Sequence, residues 1–379
     1  TRINKTTRIN KTTRINKTKK PDGFFVTVYD KLFQQRECLG NWHWSRLVEK
    51  KLIKNVIMKA KTIVIKDRIK EDTISKKEGH FFEESYFDTI IKEDCDVYIL
   101  DDNKEQKLLL SFRKNVIKPS LCCKAYNALE KEAQKKHNNR GSAAGLLNTK
   151  KLPKYVKKTT SKSKFRSYYI GSDGKAKKDH ISNYVKSGII GYFDRYDRNV
   201  FNKSNGKKTS KKSIPNIPCR TTKFTKEQVS KWKETLPLIK RANTLFKNLV
   251  PNRHSIQLKR AKKTPKFQIK NTAFSTITIN YNYRTGTHKD RGDLEEGFGN
   301  LIVLEKSECM PGNDAYEGGY LGFPQYKVAV DIRNGDFLAM DVHQWHCNTK
   351  ITPKIKGKKN YGRLSLVCYL RKNMIKCVY

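Results

Sequence analysis

The hydrophobic period of the chain changes near residue 267. Upstream of that point, apolar positions recur at helical spacing. Leu121, Ala125, Leu129 and Ala133 make one stripe behind Pro119 and Ser120, which predicts a helix stopping at the turn-rich HNNRG of 137–141. A second helix is predicted from Thr225, where Gln228 is placed to complete a capping box. Pro237 should break it, leaving Leu238, Ala242, Leu245, Phe246 and Leu249 to carry a further stripe up to Pro251. Residues 96–112 read as a hairpin turning at Asp101, Asp102 and Asn103. Downstream the period is two, and strands are predicted at 274–284, 298–304, 319–332, 337–342 and 362–371. Helices followed by a run of strands imply an α+β fold whose β part is a sandwich or barrel.

Two of these strands are two-faced. In 274–284, Thr276, Thr278, Asn280, Asn282 and Arg284 alternate with Ile277, Ile279, Tyr281 and Tyr283; continuing the first parity reaches His288 and Asp290. In the last strand, Arg363, Ser365, Val367, Tyr369 and Arg371 alternate with Leu364, Leu366, Cys368 and Leu370. Successive side chains point to opposite faces, so each strand has a polar and an apolar side. Taken alone, either polar side is compatible with an ordinary solvated face.

Composition adds a partner class and removes others. Lys and Arg number 81 against 36 Asp and Glu, a formal net charge of +45 over 379 residues. Most of the basic residues are lysine, and Asn and Ile are also plentiful, as in chains from AT-rich genomes; the field is real whatever its origin. Such a chain attracts phosphate backbones, which makes nucleic acid the expected partner. Hydrophobic residues at 36% suffice for a packed core. No apolar run approaches the roughly 18–20 residues of a membrane span, and no secretory signal precedes the fold. Nine Cys are scattered without a CxxC, which argues against a disulfide framework and a zinc ribbon. The expectation is a soluble intracellular protein with reduced thiols. Residues 1–18 are three copies of TRINKT, a basic repeat that cannot bury a core face and is expected to be disordered. Segments 149–164 and 202–213, rich in Lys, Ser and Thr, read as surface loops.

The candidate chemistry lies in the strand-rich part. His288-Lys289-Asp290 puts an imidazole and a carboxylate on one side of a strand. DVHQWHCNT at 341–349 offers His343 and His346, and Arg363 follows with Ser365 two residues on. Two His and one carboxylate make the facial triad of non-haem Fe(II) oxygenases, which leaves positions open for a co-substrate and dioxygen. Cys347 reads as a small buried residue, Arg220 as a structural ion-pair partner, and Gly318 and Gly319 as turn glycines. His43, His80, His137, His180 and His254 show no ligand-like spacing.

Residues 271–290, 318–349 and 363–371 resemble the TET/JBP family of 2-oxoglutarate and Fe(II)-dependent DNA dioxygenases; weaker likeness extends through SGIIGYFDR (187–195) and CRTTKFT (219–225). The resemblance implies a double-stranded β-helix (jelly roll) flanked by helices, with Fe(II), 2-oxoglutarate and O2 as reaction partners and DNA as the substrate. It implies oxidation of the 5-methyl group of thymine or 5-methylcytosine to a 5-hydroxymethyl base. By position, His288, Asp290 and His346 match the iron ligands, His346 being preferred over His343 because it heads an H-C-N-T run similar to the family's H-G-N-T. Arg363 matches the residue gripping the distal carboxylate of 2-oxoglutarate, with Ser365 beside it. Tyr369 matches a base-stacking position. Arg371 stands where animal TET enzymes carry a base-contacting His, and Asp293 where they carry a base-contacting Asn; the Cys-rich zinc region of those enzymes is missing. Lys354, Lys356, Lys358 and Lys359 are candidates for flanking phosphates.

The organisation expected is then a disordered basic tail (1–23), an N-terminal α/β extension packing on the core (24–148), and a dioxygenase domain (149–379) with helical support at 165–265 and a jelly-roll catalytic core at 266–379. The expected location is the nucleus or another DNA-containing compartment, not the membrane and not outside the cell, with no obligate protein partner. Two other readings fit the same fold or charge: a hydroxylase of RNA or protein side chains, and an inactive nucleic-acid binder.

Overall fold

Pairing decides what the two-faced strands are for. Thr276–Tyr281 lies antiparallel to Arg363–Tyr369, with Thr276 opposite Tyr369, Thr278 opposite Val367 and Asn280 opposite Ser365. Directly opposed residues share a face. One side of the pair therefore carries Thr278, Asn280, Ser365 and Tyr369; the other carries Ile277, Ile279, Tyr281, Leu364, Leu366 and Cys368. All six of the latter are buried in one apolar cluster with Leu129, Leu238, Ala242 and Phe246 from the helices. Burial of this kind contributes roughly 1.5–3 kcal/mol for each large aliphatic or aromatic side chain, which fixes the register and commits the polar side to the opposite face.

The computed structural model describes residues 60–151, 156–158, 164–170, 175–194, 219–306, 316–354 and 362–377. These residues all fall in one unit, Lys59–Tyr379. The TRINKT tail, segment 202–213, His43 and the lysines Lys356, Lys358 and Lys359 lie outside them. A large sheet runs in the order Lys61–Ile65, Cys95–Leu100, Gln106–Arg113, Phe337–Met340, Gly299–Glu305, Arg363–Tyr369, Thr276–Tyr281, Val185–Phe193, Arg220–Thr221. A smaller sheet runs Cys347–Asn348, Leu321–Phe323, Val328–Val330, Thr89–Ile91. A second core lies between the sheets, where Leu301, Val303, Leu338 and Met340 meet Leu321, Phe323, Val328 and Val330. Helices Pro119–Ala133 and Val229–Leu249 supply the apolar residues packed on the other face of the large sheet. This is an α+β molecule with a jelly-roll core backed by helices.

Several local expectations need correction. Residues 61–113 are not an extension laid on the core: three of their strands belong to the large sheet and Thr89–Ile91 closes the edge of the small one. The stretch 165–265 is helical only from Lys223; before it come Ser167–Ile170, Ala176–Ile181 and Val185–Phe193, all strands. No capping box forms at Thr225, which is already inside the short helix Lys223–Glu227, and Gln228 is the residue preceding helix Val229–Leu249. Pro237 does not break that helix but sits within it. A proline inside a helix costs about 3 kcal/mol, and the burial of Leu238, Ile239, Ala242, Leu245 and Phe246 immediately after it outweighs that cost. The segment 319–332 is two short paired strands rather than one. The thiols are not all reduced: Cys219 and Cys377 form a disulfide, buried beside Met374. The pairing spans 158 residues, a distance at which spacing carries no signal. No helix among the described residues is long and apolar enough to cross a membrane.

Candidate metal centre and active-site cavity

The polar face of the central strand pair forms one wall of a cavity of about 310 Å³. That lies within the usual range of small-molecule sites, roughly 300–1,000 Å³. His288, Asp290 and His346 sit on it together. One ligand atom from each lies within 4.8 Å of the others, and Asp290 is 3.7 Å from His288 Nε2 through Oδ1 and 3.7 Å from His346 Nε2 through Oδ2. The backbone enforces this arrangement. His288 and His346 exchange N–H to carbonyl bonds of 3.0 Å in both directions, and Asp290 N donates to Val342 O at 3.0 Å. The two segments, 58 residues apart in the chain, are thus locked as a single bridge.

Each imidazole is oriented through its other nitrogen. His288 Nδ1 donates to Gly286 O at 2.8 Å and His346 Nδ1 donates to Gln344 O at 2.9 Å, which leaves both Nε2 lone pairs facing Asp290. A carbonyl partner on the outer nitrogen is how metal-ligating histidines are held. Burial, helped by the adjacent His346, pulls His288 down to about 4, so the ring is neutral at physiological pH, the form that binds metal. Two imidazoles and a carboxylate converging within one ion's reach fit a divalent transition metal, Fe(II) among them. Gly286 is required here: a Cβ would lie 2.9 Å from Gly79 O and 3.0 Å from Ser142 O.

His343 faces elsewhere, its Nε2 donating to Leu294 O at 3.2 Å. Cys347 is fully buried, and burial pushes its thiol up to about 12. Arg220 sits at the sheet edge with its guanidinium 5.8 Å over Phe193 and is not part of the cavity wall. Gly318 and Gly319 both take positive φ, and a Cβ on Gly318 would meet Lys350 O at 2.1 Å, a turn role. His80, His137 and His254 lie away from the cluster, and none is a cavity wall.

Further along the same wall, Arg363 is almost fully buried. Its Nη2 donates to Gly319 O at 3.3 Å, its plane lies 6.0 Å from the Tyr316 ring, and its Nε has no hydrogen-bond partner among the described residues. Ser365 accepts from Asn280 Nδ2 at 3.4 Å. An orphaned guanidinium N–H beside a hydroxyl makes a receptor for a carboxylate. At the other end, the Tyr369 hydroxyl meets Thr278 Oγ1 at 3.1 Å. Asp293 is buried, and its Oδ2 has no partner among the described residues. Burial, and then the charge of Asp290, push the Asp293 carboxyl well above the usual range. Arg371 also lines the cavity, but its Nε is held by the buried Asp194 and its guanidinium lies 5.0 Å over Phe193.

Two further contributors carry no local signature in the chain. Glu71 Oε1 accepts from Trp345 Nε1 at 2.8 Å and from Lys289 Nζ at 2.9 Å. Trp345 precedes His346 and Lys289 stands between His288 and Asp290, so one carboxylate ties both segments of the candidate metal centre to a helix more than 200 residues upstream. The other contributor is the loop 139–143, whose residues line the cavity.

Comparison with known proteins adds to this geometry. A family model, Tet_JBP, described as the oxygenase domain of the 2OGFeDO superfamily, matches residues 204–372. The bifunctional helicase and thymine dioxygenase JBP2 of Leishmania major is 32% identical over 192 residues, which are 51% of this chain and 15% of that protein. The thymine dioxygenase JBP1 of Trypanosoma brucei brucei is 29% identical over 242 residues, 62% of this chain and 25% of that protein. The chain therefore spans between 15% and 25% of the length of these curated relatives. Among solved structures, NgTET1 in complex with 5mC DNA overlaps 81% of this chain and 92% of its own with a TM-score of 0.38 and 12% identity.

Proposed function

We propose that this chain, whose residues 204–372 match the Tet_JBP oxygenase-domain model, is a 2-oxoglutarate and Fe(II)-dependent dioxygenase of the TET/JBP type that oxidises the 5-methyl group of a pyrimidine in DNA. The product is the 5-hydroxymethyl base, formed with succinate and carbon dioxide from 2-oxoglutarate and O2. The observation that carries this reading is the convergence of His288, Asp290 and His346 in a cavity that also holds the orphaned Nε of Arg363.

In this reading His288 Nε2, Asp290 and His346 Nε2 would hold ferrous iron, and Arg363 and Ser365 would grip a carboxylate of 2-oxoglutarate. When bound, iron with 2-oxoglutarate and dioxygen supplies the oxidant that replaces a methyl C–H by C–OH. The chain's own residues do the rest. Arg363 orients the co-substrate through a planar fork that a lysine cannot reproduce. The interleaved backbone of His288 and His346 holds both imidazoles at the cavity wall. A methyl group on a stacked base is out of reach, so the base has to leave the duplex. Tyr369 supplies the surface on which it rests, and Asp293, whose carboxyl is pushed above its usual range by burial and by Asp290, offers its unpartnered Oδ2 to the base edge. Arg371, anchored by Asp194, supports Asp293 from behind; the two residues pair as an isolated antiparallel bridge.

DNA as the partner is supported by the net charge of +45 and by Arg166, Lys289 and Arg291 among the residues lining the cavity, and the same partner places the protein in a DNA-containing compartment. The experiment is incubation of thymine-containing and 5-methylcytosine-containing DNA with the full chain, Fe(II) and 2-oxoglutarate, followed by mass spectrometry of the nucleosides. The expected result is a hydroxymethyl pyrimidine appearing together with succinate. Succinate with no modified nucleoside would move the substrate to RNA or protein, and no succinate at all would make the domain a binding module.

A further inference from the structure

A segment well upstream of the residues that match the family model, 69–80 against 204–372, lies across both halves of the candidate metal centre. At its start, Ile69 N donates to Gln325 O at 2.9 Å, and Gln325 Nε2 donates back to Ile69 O at 3.0 Å. At its end, Gly79 N donates to Thr287 O at 2.8 Å, while His80 O accepts from Thr287 N at 2.8 Å and from Thr287 Oγ1 at 3.0 Å. Thr287 is the residue before His288. Between these two anchored ends stands Glu71, in the first turn of helix Glu71–Ser75. Its Oε1 accepts from Trp345 Nε1 at 2.8 Å and from Lys289 Nζ at 2.9 Å.

Lys289 and Trp345 also meet each other, the ammonium lying 4.9 Å over the indole ring. The three side chains close a triangle, and two of its corners are chain neighbours of the candidate ligands: Lys289 stands between His288 and Asp290, and Trp345 stands before His346. As an ion pair alone the triangle would count for little, because the Glu71 side chain is 53% exposed and such pairs are screened by water and salt. The indole changes that. Trp345 is 2% exposed, its N–H can only donate, and Glu71 is the acceptor that satisfies it. What the carboxylate supplies is therefore an oxygen at a set reach, and its charge is secondary. A metal site needs its ligands held to within about half an ångström, and this triangle joins the flanks of the two segments that carry them.

We propose that Glu71 is a positioning residue of the metal centre: by accepting the Trp345 indole N–H and the Lys289 ammonium on one oxygen, it sets the metal affinity of His288, Asp290 and His346 without touching the ion. This rests on the reading of those three residues as iron ligands, and it adds a segment from outside the matched oxygenase domain to the site.

The test is titration of the full chain with Co(II), whose visible absorption reports the geometry of its ligands, beside urea unfolding of the metal-free protein. Three variants separate reach from charge. Glu71→Ala removes the acceptor. Glu71→Asp keeps the charge but is one methylene too short for the indole, and as a good first-turn helix residue it remains informative if the Ala variant melts early. Glu71→Gln keeps an oxygen at the original reach and loses the charge. Ala and Asp are each expected to weaken Co(II) binding about tenfold, the lower end of what partners beyond the ligands contribute, and to shift the visible band. Gln is expected to recover most of the affinity and the wild-type band, with unfolding midpoints close to the wild type's throughout. Rescue by Asp but not by Gln would assign the effect to the charge on Lys289 and overturn the inference. So would a loss of affinity matched by an equal loss of folding stability, which is a general structural role. If the wild type takes up no cobalt, the proposed function fails and takes this inference with it. If the wild type binds cobalt and Ala and Asp bind it equally well, Glu71 alone has been misassigned.

Discussion

At one end of the cavity, His288, Asp290, His346 and Arg363 come from short-range patterns: an alternating pair, a histidine bridged to it by backbone hydrogen bonds, and the first residue of a strand. At the other end, Asp293, Tyr369 and Arg371 line the cavity with Asp194 bonded to Arg371, residues of a loop, a strand and two strand ends that meet only on folding. The first end is a set of groups suited to one chemistry, with each imidazole fixed by a carbonyl. The second contains the unsatisfied atom Asp293 Oδ2 and an arginine diverted to a buried partner. Fixed chemistry tolerates no variation in its ligands, while selection of a substrate is adjusted by loops placed around them. The difference teaches where each kind of substitution should act.

The largest effect separating the ends comes from the metal-binding side chains. Replacing His288, Asp290 or His346 with Ala should lower turnover by at least about 10³-fold, since a catalytic metal contributes several kcal/mol. Iron binding should be lost while circular dichroism stays native. His343→Ala, which removes only a bond to Leu294 O, should keep most of the activity. Iron titration and succinate release measure both, and loss of iron binding in His343→Ala with retention in His346→Ala would reverse the assignment.

Next in size is the anchor of the opposite end. Asp194 and Arg371 are a buried pair, with side chains 1% and 15% exposed. Removing one member of such a pair leaves an uncompensated charge and costs about 3 kcal/mol. Asp194→Ala should therefore lower the midpoint of denaturant unfolding without changing iron affinity. An unfolding midpoint equal to the wild type's would show that Arg371 finds another partner and that this end is less rigid than described.

A smaller and more selective change is Arg363→Lys. It preserves charge but removes the fork, and hydrogen bonds to charged groups are worth about 1.5–3 kcal/mol. The expected result is a rise in KM for 2-oxoglutarate on the order of 10-fold to 100-fold, with DNA affinity unchanged. An effect on DNA binding of similar size would place Arg363 at the substrate end and dissolve the contrast.

The same contrast governs how much was legible in the sequence. Period-two alternation exposed the polar wall, because Arg363, Ser365 and Tyr369 share parity, and Ser365 and Tyr369 pair with Asn280 and Thr276. His346 was separable from His343 only by resemblance, since both lie in one turn and only the fold shows which faces Asp290. Glu71 acts through Trp345, 274 residues away, and Asp194 through Arg371, 177 residues away; no local pattern encodes such meetings. Arg140 reads in the sequence as part of the turn-rich HNNRG that stops a helix, whereas the helix ends at Ala133 and Arg140 precedes the separate turn Gly141–Ala144. Pro237 misled for the opposite reason: a local rule was sound, but tertiary burial exceeded it.

The smallest effect is one of pH, and it has opposite signs at the two ends. His288 is held near 4 by burial and by His346, against an ordinary value of 6.5. Above 6.5 the ring is neutral folded and unfolded, and nothing changes with pH. Between 6.5 and about 4 the unfolded chain takes up a proton that the folded protein refuses, so stability falls as pH falls. At about 1.4 kcal/mol per pH unit, the metal-free protein should lose about 1 kcal/mol from this group between roughly pH 7 and 5.5. Asp293 runs the other way. Its folded pKa is raised by burial and by Asp290, so its contribution is intact below 3.8 and is lost as pH rises towards the folded value. Urea unfolding of metal-free protein at several pH values can read both. His288→Gln should flatten the curve between pH 7 and 5.5, and Asp293→Asn should raise stability at neutral pH while leaving the acid limb as it was. A His288→Gln curve as steep as the wild type's in that interval would mean that the ring is solvated in the free protein. The metal-binding end would then be no more closed than the substrate end.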